Sequence, residues 1–392
     1  MARLVGDLEV AEDAVQEACA AALAQWPASG PPANPRAWLI GVARHKALDH
    51  VRRESRRAAK EAAAASDGPR QGSLSQARVP EAEADDQLSL IFTCCHPALS
   101  LPAQTALTLR AVCGLTTGQI AAGFLVPEPT MGQRLVRAKR KIRQAGIAIR
   151  VPGPAELPGR LDAVLRVIYL VFTEGHMTTS GPDLIRGELC EQAIRLARDL
   201  NRLLPDQPEA AGLLALLLLT DARRSARVGP DGGLVQLADQ DRRQWDAAKI
   251  SEGRALVEGA LAARRPGRYQ LQAAIAACHG DAASADETDW PQIVALYNEL
   301  LRYEPTPVVA ANRAAAVAMV DGPEAGLAIL TDLAADPAMA SWPPLQVAMA
   351  ELHRRLGQAD SALAAYRHAL KLGVPAAQQV FIDGRIREIL SR

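Results

Sequence analysis

The sequence predicts an all-α protein in three parts. Few stretches alternate between apolar and polar residues with the period of two that strands require, whereas alanine and leucine recur at helical spacing through most of the 392 residues. Two segments read as linkers: residues 58–83 are rich in Ala, Ser, Gly and charge, and residues 150–159 contain three prolines. We therefore predict two small helical domains, 1–57 and 84–149, followed by a larger helical region over 160–392.

Composition and charge exclude several classes of protein. The first 150 residues hold 19 basic and 14 acidic side chains and the remainder 25 and 30, so the front of the chain is net +5 and the rest net −5. The most apolar stretch, 210–219, is about half as long as a bilayer span, and no secretion signal precedes the first helix, which predicts a cytoplasmic protein with no membrane role. The six cysteines match neither a disulfide framework nor a zinc-binding spacing, so we predict no metal and no cofactor.

The first predicted helix carries two parallel stripes. At four-residue spacing there is an apolar stripe of Val10, Ala14 and Ala18 and an acidic stripe of Glu9, Asp13 and Glu17. One face can pack against a neighbour while the other offers carboxylates. Taken alone, an acidic stripe of this kind is more often a solvated surface than a binding site.

The second predicted helix, 35–57, becomes strongly basic towards its end. It opens with Trp38 and Leu39, and between Arg36 and Lys60 there are eight basic residues against two acidic ones. A row at four-residue spacing consists of Ala43, Ala47 and Val51, and paired basic rows consist of Arg52, Arg53, Arg56 and Arg57. Paired arginines one turn apart suit a phosphate backbone, although cations at a helix C-terminus also interact well with the helix dipole.

Two further helices are predicted with helix-turn-helix spacing. Thr116 with Gln119, and Thr130 with Gln133, each match a capping box, and Pro127 lies between them. In the second helix, the predicted buried stripe is Met131, Leu135, Ala138 and Ile142, and the predicted outward residues are Gln133, Arg134, Arg137, Lys139, Arg140 and Lys141. A basic helix in this position suits a DNA major groove; the alternative is a solvated helix in an ordinary bundle.

The third part shows a weak internal sequence repeat. Tyr297, Leu330 and Tyr366 are 33 and 36 residues apart, close to the period of about 34 residues of tetratricopeptide helix pairs. In the last copy, Gly357, Ala362, Tyr366 and Ala369 stand where such a repeat needs a turn, a small contact residue, an aromatic plug and a second small residue. We therefore predict stacked helix pairs.

Taken in order, these segments resemble the extracytoplasmic-function group of the sigma-70 family, in the subgroup with a C-terminal tetratricopeptide-like extension. AEDAVQEAC is similar to the region-two helix that docks on the clamp helices of the RNA polymerase β′ subunit, and RAWLIGVARHKALDHVRRE resembles the helices that open and read the minus-ten element. LTTGQIAAGFLVPEPTMGQRLVRAKRKI resembles region four, which reads the minus-thirty-five element. VIYLVFTEGH and TDWPQIVALYNEL resemble the extension of the subgroup.

The resemblance implies a non-enzymatic sigma factor that binds core RNA polymerase, through the β′ clamp helices and the β flap, and promoter DNA. The polymerase-binding residues that it implies are Glu12, Asp13, Gln16 and Glu17. The DNA-binding residues that it implies are Arg44, Lys46, His50, Arg52, Arg53, Arg56 and Arg57 in region two and Thr130, Gln133, Arg134, Arg137, Arg140 and Lys141 in region four. Thr130, Gln133, Arg134 and Arg137 are expected to read bases. The cluster 52–57, Arg140 and Lys141 are expected to contact phosphates, and so is Arg143. The extension is expected to receive a signalling protein or ligand and to regulate the sigma domains.

Some observations leave alternatives open. Family members carry an amphipathic region-two helix before the equivalent of Arg3, so we expect either a misassigned start or a truncated copy. A helix-turn-helix transcriptional regulator with a tetratricopeptide-like sensing domain and a repeat scaffold without a DNA role are the competing interpretations. Cys94-Cys95-His96 and Glu174-Gly175-His176 are interpreted as packing residues rather than as a metal site or catalytic pair.

Overall fold

The protein is helical and divides into two compact units. The computed structural model describes residues 2–63, 79–124, 126–176, 186–230 and 232–391. Within these ranges the regular elements are helices, apart from one isolated antiparallel bridge between Val228 and Leu234. The units are Met1–Val167 and Ile168–Arg392. The predicted all-α class is confirmed.

The first unit contains the helices of the front of the chain and the predicted helix-turn-helix. Its helices are α1 (Ala2–Val5), α2 (Leu8–Ser29), α3 (Pro35–Ala63), α4 (Val79–Cys94), α5 (Leu101–Ala111), α6 (Thr117–Phe124) and α7 (Glu128–Gln144). Helix α8 (Leu157–His176) begins in this unit and continues into the second.

The second unit is a succession of helices in which neighbours along the chain pack together. Its helices are α9 (Gly187–Leu203), α10 (Pro208–Asp221), α11 (Ala247–Ala262), α12 (Arg268–Asp281), α13 (Trp290–Tyr303), α14 (Pro307–Val320), α15 (Pro323–Leu333), α16 (Pro337–Ala340), α17 (Pro343–Arg355), α18 (Ala359–Leu372) and α19 (Ala376–Leu390). From α12 to α15, and again from α17 to α19, each helix packs on the one that follows it. None of the helices in the described ranges is long and apolar enough to cross a membrane.

Helices extend into both predicted linkers. Helix α3 continues to Ala63, past the predicted end at Arg57, and α8 begins at Leu157, before the predicted linker ends. Pro158 is compatible with the start of α8 because the first turn of a helix has no acceptor for its N–H. Residues 64–78 of the first linker lie outside the described part of the chain.

Small side chains bring the front helices together. The buried face of α2 consists of Leu8, Ala11, Ala14, Ala18 and Ala22. Ala43 and Ala47 are buried on α3, which packs against α2, and the rings of Trp26 and Trp38 lie 5.5 Å apart near the turn between the two helices. Val51, the third member of the predicted α3 row, is exposed instead.

Most of the predicted repeat residues lie in the core of the second unit, whereas Tyr297 is half-buried. Leu330 and Tyr366 are fully buried, as are Ala362 and Ala369 beside Tyr366. Gly357 adopts a positive φ of 70° in the turn before α18, a conformation that favours glycine. The tight turn, small contacts and aromatic plug predicted for the last copy are therefore confirmed.

Candidate nucleic-acid and protein interface

A capped helix leads into the basic helix α7. Thr116 N donates to Gln119 Oε1 at 2.8 Å, and Gln119 N donates to Thr116 Oγ1 at 3.2 Å, so the first predicted capping box is confirmed. The second is wrong, because α7 begins earlier, at Glu128, and Thr130 lies inside the helix. Proline in the first turn and an acidic first residue both favour this earlier start.

Helix α7 buries one stripe and presents basic residues on the rest of its surface. The buried residues are Met131, Leu135, Ala138 and Ile142, as predicted. The exposed residues among those predicted to contact DNA are Thr130, Gln133, Arg137, Arg140 and Lys141. Arg134 is half-buried, with its guanidinium 5.7 Å from the ring centre of Phe124 on α6. Within the described ranges, none of Arg134, Arg137, Arg140 and Lys141 forms an ion pair with a carboxylate, so their charges are available to a ligand.

Two other cations of α7 pair with carboxylates of α2 and of Asp7, the residue that caps it. Lys139 Nζ lies 2.5 Å from Glu12 Oε2, and Arg143 Nε lies 2.6 Å from Asp7 Oδ2. Arg143 also pairs with Glu9. The prediction that Lys139 points outward is wrong, because its side chain is largely covered and paired with Glu12 on α2. Arg143 keeps about half of its side chain exposed beside Asp7 and Glu9, and its contact with phosphate stays a prediction. The carboxylates of Glu9, Glu12 and Asp7 attract these two cations, because opposite charges interact more strongly where water is partly excluded.

The cap of α2 is part of this ionic cluster. Asp7 caps α2 by accepting from Glu9 N at 2.8 Å and Val10 N at 3.4 Å. Burial opposes the charged form, but the hydrogen bond from Arg143 and those two amides hold the pKa of the Asp7 carboxyl below its usual value. The charged form is therefore kept at the start of the helix, where the dipole also favours it.

The rest of the acidic face of α2 is open to solvent. Asp13, Gln16 and Glu17 are exposed, and Glu12 is half-buried. Glu17 Oε2 lies 3.2 Å from Lys46 Nζ on α3. Of the four predicted polymerase-binding residues, Asp13 and Gln16 are thus both exposed to solvent. Glu12 and Glu17 already form ion pairs, with Lys139 and Lys46 respectively.

The basic side of α3 is exposed but partly neutralised by one aspartate. Arg44, Lys46, Arg52, Arg53 and Arg56 are exposed and His50 is half-buried, whereas the side chain of Arg57 lies outside the described part of the chain. Asp49 Oδ2 is 3.2 Å from His45 Nδ1, and Asp49 Oδ1 is 3.8 Å from Arg52. Arg53 Nε donates to the Asp49 carbonyl at 3.3 Å.

The adjacent cysteines are buried in the first unit. Cys94 and Cys95 have no exposed surface, and Cys95 Sγ is 3.5 Å from Thr108 Oγ1. Burial raises the pKa of Cys95 to about 12 and that of Cys94 well above its usual value, which disfavours the reactive thiolates. His96 Nδ1 accepts from Ala98 N at 3.1 Å, and no group of three metal-ligating side chains occurs in the described ranges.

The Glu174-Gly175-His176 segment packs helices α8 and α9 together. A Cβ on Gly175 would lie 2.8 Å from Cys190 N, so the two helices approach at a point where only glycine fits. His176 stacks on Phe172 with 5.3 Å between ring centres. Burial, with nearby arginines, lowers the pKa of His176 to about 2, so its imidazole is neutral.

Comparison with known proteins defines the class of the first unit. Residues 1–57 match the model of Sigma-70 region 2, and residues 89–142 match that of Sigma-70, region 4. Residues 160–261 match a family of unknown function, DUF6596. The helices with the acidic and basic faces described above therefore lie in the two sigma-70 regions.

Individual proteins are also similar to this chain. The chain is 43% identical over 382 residues to the uncharacterized protein R00370 of Rhizobium meliloti (strain 1021), covering 97% of this chain and 90% of that protein. It is 33% identical over 182 residues to the probable ECF RNA polymerase sigma factor SigI of Mycobacterium tuberculosis, a match that covers 45% of this chain and 59% of SigI. The thermophilic TPR protein TTC0263 of Thermus thermophilus aligns with a TM-score of 0.38 and 19% identity over 58% of this chain and 97% of that one. The chain belongs to the sigma-70 family, in the extracytoplasmic-function group, and carries a C-terminal helical-repeat extension.

Proposed function

We propose that the protein binds core RNA polymerase and directs transcription initiation at a limited set of promoters, without a catalytic activity of its own. The observation that carries this proposal is the surface of α7, where a helix-turn-helix whose first helix is capped presents Arg137, Arg140 and Lys141, none of which has a carboxylate partner in the described ranges. A helix of this kind in second position enters a DNA major groove.

Base recognition is assigned to the first three turns of α7. Thr130, Gln133 and Arg137 are exposed there, and Arg134 is held against Phe124, which limits its conformations. Arginine and glutamine recognise guanine and adenine edges respectively through paired hydrogen bonds. Arg140 and Lys141 follow on the exposed surface and suit contacts to phosphates, which position the helix without reading sequence.

The basic side of α3 is assigned to the minus-ten element. Arg44, Arg52, Arg53 and Arg56 are exposed on it, and Lys46, His50 and Arg57 belong to the same proposed set. Since Asp49 already contacts Arg52, binding of DNA phosphates must compete with that carboxylate. Such contacts weaken steeply with added salt.

Docking on the β′ clamp helices is assigned to α2, and docking on the β flap to region four. Asp13 and Gln16 are exposed, and Glu17 and Glu12 extend the same acidic surface. The ion pair between Glu12 and Lys139 adds a condition, because Glu12 must leave Lys139 to bind a cation of the polymerase. We infer that region four moves away from α2 when the polymerase binds.

The experiment that tests the proposed function is run-off transcription with purified core polymerase on a promoter selected from random DNA. The full chain is expected to produce specific transcripts, and the double variant Arg134→Ala/Arg137→Ala is expected to lose them while still binding core polymerase. A chain that binds a DNA site but never binds core polymerase would instead be a helix-turn-helix regulator.

Regulation of the sigma domains is assigned to the extension. The chain after Arg150 is net acidic and the preceding part net basic, so an electrostatic interaction between them is favourable. A signalling protein or ligand bound at the helical repeats would then change promoter activity.

A further inference from the structure

The second unit contains a cavity whose wall is mostly apolar but includes an arginine and two tyrosines. Its volume is 520 Å³, and it lies between residues of α10, α12, α13 and α14, with Tyr169 of α8 at its edge. Most of its wall is hydrocarbon, including Leu216, Ile275, Leu300 and Val309. The polar lining includes Arg223, Tyr169, Tyr297 and Gln272. Cavities with an apolar wall and a few polar groups are typical of small-molecule sites.

Arg223 has no counter-ion in the described ranges. No carboxylate pairs with its guanidinium there, and no oxygen accepts a hydrogen bond from it; its contact is with the ring of Trp245, whose centre lies 5.9 Å from the central guanidinium carbon. Burial, together with the neighbouring charges of Arg227 and Arg242, lowers the pKa of Arg223 to about 10. Arg223 is half-buried, and a cation that lines a cavity without a counter-ion attracts an anion or water to it.

The neighbouring cations, by contrast, have protein partners. Arg224 and Lys249 both bind the fully buried Asp221, at 2.7 and 2.9 Å. Arg227 donates to the His176 carbonyl, and Arg242 donates to the Ala282 carbonyl at 2.6 Å. The fold therefore satisfies this cluster of cations except at Arg223, the one that lines the cavity.

The histidine beside the cavity does not supply a competing charge. Burial, with Arg223 and Arg242, lowers the pKa of His279 to about 4, so its imidazole is neutral near pH 7. Its Nδ1 atom is buried and has no hydrogen-bond partner in the described ranges. His279 also lines the cavity and can add a polar contact there.

Two tyrosines add hydroxyl groups to the lining. Burial raises the pKa of Tyr297 to about 12, so its hydroxyl stays protonated and can donate. Tyr169 is held by its ring contact with Tyr269, with 5.6 Å between ring centres. A guanidinium and phenolic hydroxyls are suited to the oxygens of an organic anion.

The acidic residue of the lining favours a ligand with one negative charge over a ligand with several. Glu304 is the carboxylate among the described lining residues, and its Oε2 accepts from Gln272 Nε2 at 3.1 Å. A polyanion such as a nucleotide would meet repulsion from Glu304. A ligand with a single carboxylate and a hydrocarbon body fits this lining, because its carboxylate can pair with Arg223 and its hydrocarbon part can pack on the apolar wall.

We infer that this cavity binds a small organic monocarboxylate, with the carboxylate paired to Arg223 and the hydroxyl of Tyr297, and the hydrocarbon part against Leu216, Ile275 and Val309. The site is built from residues of the second unit alone. It gives a chemical class to the ligand expected at the extension, and it holds whether or not the proposed promoter function does.

The test is calorimetric titration of the full chain with octanoate and phenylacetate, each compared with its neutral amide and with inorganic phosphate. We expect saturable binding of one molecule of at least one of these carboxylates per chain, at least about tenfold weaker binding of its amide, and weaker binding of phosphate. Arg223→Met should weaken carboxylate binding about 10- to 100-fold. Arg195→Met, an exposed arginine on α9, is the matched control and should leave the affinity unchanged.

Two further measurements separate loss of binding from loss of the fold. Thermal unfolding and helicity of each variant establish that the helices are intact, and Tyr297→Phe, which keeps the ring, should weaken the carboxylate by a smaller factor than Arg223→Met. Undiminished affinity in folded Arg223→Met, equal binding of acid and amide, tighter binding of phosphate than of both acids, or no saturable binding of either acid would each overturn the inference. None of these readouts depends on transcription, so a failure here is distinguishable from a failure of the proposed function.

Discussion

Replacing Lys139 by methionine is expected to strengthen binding to core RNA polymerase. The Lys139 ammonium holds the carboxylate of Glu12 at 2.5 Å, and Glu12 belongs to the proposed docking surface. Methionine keeps most of the length of the side chain and removes the charge, so Glu12 becomes available without a change in α2 itself.

The magnitude follows from the exposure of the two side chains. Lys139 is 14% exposed and Glu12 28% exposed, which places the pair between a solvated and a buried ion pair. Solvated pairs contribute about 0.2–1 kcal/mol, and removing one partner of a buried pair costs about 3–5 kcal/mol. For this intermediate pair we expect about 1–2 kcal/mol, equivalent to a gain in affinity of about 5- to 30-fold.

The assay is the dissociation constant for immobilised core polymerase in the absence of DNA, measured at two salt concentrations. The gain should shrink as salt rises, because screening weakens the original ion pair. Lys141→Met is the control, since Lys141 lies exposed on the same helix and has no ion-pair partner in the described ranges. Equal changes in both variants, or weaker binding by Lys139→Met alone, would refute the reasoning that Lys139 competes with the polymerase for Glu12.

Three other predictions concern the same surfaces and the extension. Charge reversal in Asp13→Lys combined with Gln16→Ala should weaken core-polymerase binding without changing helicity by circular dichroism; full-strength competition for core would remove these exposed residues from the interface. Arg134→Ala should cost about 1–3 kcal/mol of promoter binding and relax preference at one upstream base pair, whereas Lys141→Ala should weaken all sequences alike and flatten the salt dependence. Uniform losses from both would mean that α7 positions the protein without reading sequence. A stop after Val167, at the boundary between the units, should change run-off transcription: a drop means that the extension supports the sigma domains, a rise means that it masks them, and wild-type output contradicts regulation by the extension.

Local patterns predicted the parts of the molecule that depend on neighbours along one helix. The stripe from Met131 to Ile142 is buried as its spacing indicates, and the capping box of Thr116 with Gln119 has the predicted hydrogen bonds. The second capping box failed because two local preferences conflicted, and proline in the first turn decided the start of α7. Both the capping box at Thr130 and the proline start signal are present in the sequence, and the proline signal is the stronger one here.

The charge pairing of α7 could not be predicted in this way. Lys139 and Glu12 are 127 positions apart, and Arg143 and Asp7 are 136 positions apart. A basic residue on a helix surface has the same local pattern whether it faces solvent, DNA or a distant carboxylate. The approach of α2 to α7 therefore selects which cations of α7 remain available.

By itself the sequence determined that the chain is helical, that its front contains sigma-70 regions two and four, and which side of α7 is buried, because these depend on residue spacing and on motifs contiguous in the chain. Only the tertiary structure decided that Lys139 and Arg143 pair with carboxylates of α2 and of its cap Asp7. It also decided that Arg223 lines a cavity without a counter-ion in the described ranges, while Arg224 binds Asp221. The physical reason is that a charge is stabilised by whatever lies within a few ångströms of it. For these side chains that neighbourhood is created by the packing of helices far apart in sequence, which no local pattern records.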